Sequence, residues 1–363
     1  MIAPTPTRNP LHLLLVFVVL APLASVAHAA PTIVFACAAL AIIPLAGLMG
    51  DATERLGARL GAGPSGLLNA TFGNAAELIL ALVALRAGRI EMVKASITGS
   101  ILGNALLVLG LAMVAGGARR ERQVFDRTAA SAAATLFTLS AIGLVVPAAF
   151  HVITQLEGGA THLGGGTAEH DLSLLLAIVL AVAYLLSLLF SLHTHRHLYT
   201  GGAEGHAVEA GSTRRALVTL LMATALVAWM SELLIGSVEV ASHALGLGEL
   251  FVGVVVVALI GNAAEHSTAV TMAMRDQMDL ALHIAIGSSL QIALFVAPVL
   301  VFASHLIAPV PMDLRFTPFE VVAVVAAVAI VNRVADDGES NWLEGALLLA
   351  VWVLLAVAFY FLG

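Results

Sequence analysis

The sequence predicts an all-α polytopic membrane protein of about eleven transmembrane helices: inverted five-helix repeats plus one extra N-terminal helix. Three observations predict it. Apolar runs of membrane-spanning length recur from end to end, one short polar phrase occurs twice in register, and each copy sits in a unit with an odd number of runs.

The runs come first. Of 363 residues, 60% are hydrophobic and 11% charged, with mean hydropathy +1.01; an average soluble domain is roughly 25% charged. Eleven runs lie near 11–28, 32–50, 66–86, 90–116, 128–150, 171–192, 215–236, 248–273, 280–304, 317–334 and 341–362. Each is long enough to cross ~30 Å of hydrocarbon as a helix. The connecting stretches are short and leave no room for a soluble domain. The expected organisation is an N-terminal helix (1–30), a first five-helix repeat (31–192), a His-rich connector (193–214) and a second, inverted repeat (215–363). The N-terminal unit also has signal-like features, Arg8 before Leu11 to Leu20 and then Ala27-His28-Ala29; it is read as a retained helix.

Charge placement sets the expected orientation. Assigning loops to alternate sides puts 12 of the 16 basic residues on the face that holds the N-terminus, and Arg86, Arg89, Lys94 and Arg315 on the other. By the positive-inside rule the N-terminus is cytoplasmic and the C-terminus outside, in what is expected to be a bacterial cytoplasmic membrane. The single Cys37 can form no internal disulfide, so redox compartment is not readable.

The repeated phrase is Gly73-Asn74-Ala75-Ala76-Glu77 and Gly261-Asn262-Ala263-Ala264-Glu265. Adding 188 keeps the copies in register without a gap from Gly73 to Val108, and 12 of those 36 positions are identical, including Gly99-Ser100 against Gly287-Ser288. Repeat units of five helices each must enter the membrane from opposite sides. Inverted repeats are the architecture of many secondary transporters, with the binding site near the midplane where the halves meet.

The phrase puts a carboxylate in an apolar run, which costs roughly 2.5–3.5 kcal/mol at a helix centre and marks an ion or proton pathway. Asn and Glu three apart share a helix face. Hairpin lengths place Glu77 and Ser100, and likewise Glu265 and Ser288, roughly 16–18 Å from their turns, near mid-membrane. Asn104 and Gln291 follow on the returning helices. This set of oxygens, with no thiolate nearby, suits a hard cation such as Ca²⁺, whereas Zn²⁺ or Cu would call for His or Cys. His266 points about 100° away from Glu265 around the helix and is read as a proton-coupling candidate. Two carboxylates balance one divalent cation; without it, desolvation and mutual repulsion favour proton uptake. A carrier that reorients only when they are neutralised, by metal or by protons, is an antiporter.

These residues resemble the calcium/proton exchanger (CAX) family of the cation/calcium exchanger superfamily, whose two signature repeats carry Gly-Asn-x-x-Glu followed by a Gly-Ser-rich helix. The match rests on Leu67 to Leu78, Gly261 to His266 and Gly287-Ser288-Ser289-Leu290-Gln291. The resemblance implies that Glu77 and Glu265 carry both Ca²⁺ and H⁺, and that Asn74, Asn262, Ser100, Ser288, Asn104 and Gln291 line the site. Sodium/calcium exchangers of the superfamily use phrases richer in Ser and Thr, so Asn-Ala-Ala favours proton coupling. In place of the long acidic segment that some eukaryotic members carry between the halves stands His193-Thr194-His195-Arg196-His197.

The expected activity is therefore a secondary antiport of cytoplasmic Ca²⁺ against external H⁺ by alternating access. Alternatives are a Na⁺(K⁺)/Ca²⁺ or Mn²⁺ exchanger of the same superfamily and, from another class, a cation channel. Glu232 and Glu239 are candidate vestibule residues. No enzyme motif of the His-Glu-x-x-His kind occurs. The expected partners are Ca²⁺ and H⁺ as substrates and membrane lipid, with no nucleic acid and no cofactor; a homo-oligomer is compatible with the sequence but not readable from it.

Overall fold

The computed structural model describes residues 10–59, 65, 68–69, 71–156, 165–195 and 212–362. Most of the His-rich connector, including Arg196, His197 and His206, lies outside the described residues. The helices are α1 (Phe17–Val26, after a 3-10 segment Pro10–Val16), α2 (Pro31–Gly57), α3 (Ala75–Arg86) and α4 (Ile90–Gly117), then α5 (Arg127–Leu156) and α6 (Gly165–Leu189). There follow α7 (Thr213–Leu245), α8 (Glu249–Met274), α9 (Met278–Ile307), α10 (Pro318–Ala335) and α11 (Trp342–Leu362). Among the described residues nine helices are long and apolar enough to span a bilayer; α1 and α3 are shorter. The chain is an all-α integral membrane protein.

One expected run is interrupted. The sequence predicts a continuous helix over 66–86, but Gly73 and Asn74 form a turn and α3 starts at Ala75. The corresponding α8 runs unbroken through Gly261 and Asn262. The two phrases therefore share residues but not local backbone.

Ends follow local chemistry. Gly246 closes α7 at φ +66°, and Gly88 turns the chain between α3 and α4 at φ +75°, a region that costs glycine least. Thr317 and Glu320 form a reciprocal capping box at the start of α10.

Packing then locks the centre. A Cβ at Gly99 on α4 would fall 1.9 Å from the Val254 carbonyl of α8, and one at Gly253 would fall 2.6 Å from Ala95 Cβ. Glycine on both sides lets these helices approach closely, as small residues do inside membranes. Three helices also widen into π turns beside the centre: Gly103–Val108 in α4, Val252–Val257 in α8 and Ile292–Val296 in α9. Such single-turn insertions are frequent at functional sites.

Contacts between loops sort them onto two faces. On one, Gln123–Val124 pairs antiparallel with Glu339–Ser340, Arg122 meets Glu339 at 3.2 Å and Arg120 meets Asp276 at 3.0 Å. On the other, Arg89 bridges Glu239 and Glu249, and the extended segment 308–317 is drawn inward. In that segment Met312, Leu314 and Phe316 are buried, while Asp313 meets Lys94 at 2.7 Å.

Candidate cation site

The side chains of both phrases meet at the α4–α8 crossing. Asn262 Nδ2 on α8 donates to Ser100 Oγ on α4 at 3.0 Å, and Ser288 Oγ on α9 donates to Asn74 Oδ1 at 3.1 Å. Each phrase's Asn is thus bonded to the serine of the other hairpin. The next shell repeats the exchange: Asn104 Nδ2 donates to Asn262 Oδ1 at 2.9 Å, and Asn74 Nδ2 donates to Gln291 Oε1. Asn104 Nδ2 also reaches Ser288 Oγ at 3.0 Å, which joins the two sets into one network.

The carboxylates sit at its edge. Ser288 Oγ lies 2.6 Å from Glu265 Oε2, a second acceptor for the same hydroxyl hydrogen. Glu77 packs on the glycine of the opposite phrase, where a Cβ at Gly261 would stand 3.0 Å from Glu77 Cγ. The two Glu side chains are within range of each other's charge. All eight sequence-predicted ligand residues are brought together: seven are joined by these hydrogen bonds and Glu77 lies against them across Gly261.

The oxygens present suit a hard cation. Glu77 Oε2 and Asn104 Oδ1 are buried acceptors without a hydrogen-bond donor. Buried acceptors of this kind are normally paired, and a bound cation supplies what a donor would. Among the described residues no group of three or more His, Cys, Asp or Glu gathers. Amides and hydroxyls around two carboxylates match the oxygen-rich coordination of Ca²⁺.

His266 follows Glu265 in the chain. It lines a narrow crevice with Ser100, Gly103, Asn262 and Trp352, and its Nε2 is buried without a partner. Glu232 and Glu239 do not join the network. On α7 they face the arginines of the α3–α4 turn, Glu232 at 3.9 Å from Arg86 and Glu239 paired with Arg89. The hydrogen bond that Arg89 donates to Glu239 raises the affinity of its guanidinium for the proton, shifting its pKa above the ordinary value.

Sequence reasoning missed a second buried polar group. Lys94, 3% exposed, meets Asp313 at 2.7 Å and Glu91 at 3.1 Å. One turn on, Thr98 Oγ1 donates to buried Glu320 at 3.0 Å. The signal was a lone Lys within an apolar run, four residues before Thr98.

The sequence profile described as Sodium/calcium exchanger protein matches residues 30–193 and 215–361, nearly the whole chain. The chain belongs to the sodium/calcium exchanger protein family. A family member from Synechocystis sp., named Ca(2+)/H(+) antiporter, is 49% identical over 368 residues and 96% of each chain is covered. One from Aphanothece halophytica with the same name is 47% identical, with 96% of this chain and 95% of that one covered. Among solved exchanger structures, native YfkE superposes with a TM-score of 0.83 at 38% identity, covering 97% of this chain and 99% of that one. The H⁺/Ca²⁺ exchanger CAX, at 14% identity and a TM-score of 0.71 over 97% of this chain and 91% of that one, shares the fold.

Proposed function

We propose that this exchanger moves Ca²⁺ out of the cytoplasm in exchange for entering H⁺, by alternating access. The observation that carries this reading is the network of amides and hydroxyls at the α4–α8 crossing, with one carboxylate from each phrase at its edge, Glu265 bonded to Ser288 and Glu77 packed on Gly261. The names of the 47–49% identical relatives support the same pair of ions. Glu77 and Glu265 bind Ca²⁺ when ionised and protons when it leaves. Asn74, Asn262, Ser100, Ser288, Asn104 and Gln291 complete and position the oxygens. His266, in its crevice behind Asn262, relays protons.

The halves, 31–192 and 215–363, act as inverted repeats. The reciprocal Asn–Ser bonds support this, since the 188-residue shift maps Asn74 onto Asn262 and Ser100 onto Ser288, so that one pair is the counterpart of the other. The more basic face, with Arg120, Arg122 and Arg333, is cytoplasmic. Glu232 and Glu239 form an acidic vestibule on the opposite face, with Arg86 and Arg89 occupying it when no cation does.

The test is reconstitution in liposomes with an imposed pH gradient. Ca²⁺ uptake follows the gradient in the parent protein and is abolished in Glu77→Gln and in Glu265→Gln, each checked for a monodisperse, folded state. Normal transport by either variant removes the carboxylate mechanism. Uptake driven equally by a sodium gradient in place of protons supports a Na⁺/Ca²⁺ exchanger instead, and flux independent of any counter-gradient supports a channel.

A further inference from the structure

At one rim of the helix bundle, α4 ends and α11 begins around an open pocket of about 570 Å³. Arg119, Arg120, Glu121, Asn341, Trp342 and Leu343 line it. Close packing forms its floor, because a Cβ at Gly117 would lie 2.9 Å from the Trp342 backbone nitrogen. Helix ends of membrane-spanning length lie at the level of lipid headgroups, where Trp is enriched.

The three charges in the pocket are not equivalent. Arg120 is committed: Nη1 donates to the Gly116 carbonyl at 2.7 Å and Nε meets Asp276 at 3.0 Å. The Asn341 carboxamide oxygen is occupied too, accepting from the Leu343 and Glu344 amides at 3.0 and 3.1 Å. Arg119 and Glu121 are both exposed, and among the described residues neither has an ion-pair or hydrogen-bond partner. What remains open is one guanidinium and one carboxylate, two residues apart, beside an exposed indole. Leu343, which lines the pocket, and Leu347 one turn further along α11 are exposed, as is Leu111 in the last two turns of α4.

We propose that this pocket binds a phospholipid whose headgroup carries both a phosphate and a primary ammonium, phosphate on Arg119 and ammonium on Glu121. The planar guanidinium fork matches phosphate oxygens. A primary ammonium has three hydrogens to donate to a carboxylate; a quaternary ammonium has none, and a glycerol headgroup brings no positive charge. The acyl chains lie along Leu111, Leu343 and Leu347. The proposal is independent of which ions the central site carries.

Fluorescence of Trp342 reports on the site. The chain has three tryptophans, so Trp229→Phe with Trp352→Phe leaves Trp342 as the only emitter, in bilayers containing brominated phosphatidylethanolamine, phosphatidylcholine or phosphatidylglycerol. The expected result is quenching selective for phosphatidylethanolamine over the other two by about fivefold in relative affinity. Arg119→Gln abolishes the selectivity, and Glu121→Gln moves it to phosphatidylglycerol. Equal quenching by all three lipids overturns the proposal, as does a parent preference for phosphatidylglycerol, which would mark a plain anion site, or an unchanged preference in Glu121→Gln. If the double Phe variant does not fold, native mass spectrometry of the full chain with either tryptophan set retained makes the same three-lipid comparison on Arg119→Gln and Glu121→Gln.

Discussion

Glu77 rests on Gly261: the carboxylate-bearing side chain of one phrase lies against the glycine of the other, with 3.0 Å between Glu77 Cγ and the place a Cβ would occupy. The glycine of the repeat therefore sets the position of the opposite carboxylate. A methyl group there moves Glu77 by a few tenths of an ångström. Gly261→Ala is expected to keep the fold and weaken Ca²⁺ binding about tenfold, roughly 1.4 kcal/mol. Calorimetric titration of the purified protein measures this, and an unchanged affinity would mean that the Glu77 side chain shifts without consequence.

On the proposed mechanism protons and cation share the two carboxylates, so affinity for Ca²⁺ is expected to fall as pH falls. When both groups must lose a proton to hold the cation, the decline approaches about a hundredfold per pH unit at the acidic end; with one group removed it approaches about tenfold. The logarithm of the dissociation constant plotted against pH is expected to lose about half its limiting slope in Glu265→Gln. Equal slopes in parent and variant would place the competing proton elsewhere.

Ser288 touches more of the network than its neighbours do, at 2.6 Å from Glu265, 3.1 Å from Asn74 and 3.0 Å from Asn104. Ser288→Ala leaves a carboxylate oxygen without its donor, a loss of about 1–3 kcal/mol for a buried group. Transport assays should show a raised half-saturating Ca²⁺ concentration, with Ser288→Thr recovering part of it. Full activity of the alanine variant counts against a role for this hydroxyl.

The buried Lys94–Asp313 pair predicts a stability effect away from the cation site. Asp313→Ala strands a buried ammonium and is expected to cost about 3–5 kcal/mol, whereas the double change Lys94→Met with Asp313→Leu recovers most of it. Thermal unfolding in detergent distinguishes them. If Asp313→Ala melts with the parent, Glu91 alone suffices to hold Lys94.

Most helices were legible because a bilayer demands long apolar runs, and their composition is visible without any neighbour. The candidate site's residues stood out for a related reason, since carboxylates and amides contrast with hydrocarbon and the 188-residue register pairs them. The break before Ala75 was not visible, because Gly73 and Asn74 are followed by the same Ala-Ala-Glu as Gly261 and Asn262, which stay helical. The π turns escaped for a similar reason, as one extra residue in a turn changes no composition. In 308–317 the signal was present: Pro309 and Pro311 oppose helix, and Met312, Leu314 and Phe316 alternate with Asp313 and Arg315. The partners of that alternation, Lys94 and Glu169, are distant in sequence and only packing brings them near.

A serine hydroxyl has a single hydrogen atom, yet Ser288 faces acceptors on two sides, Glu265 and Asn74. Only one can receive it at a time. With Glu265 ionised, the hydrogen turns to the carboxylate; once Glu265 carries its own proton it can donate back, and the serine hydrogen is released toward Asn74. The network therefore has two mutually exclusive wirings, selected by the loading of one carboxylate. Through Asn74 and Gln291, a proton on Glu265 of the second phrase changes the hydrogen bonding at the first.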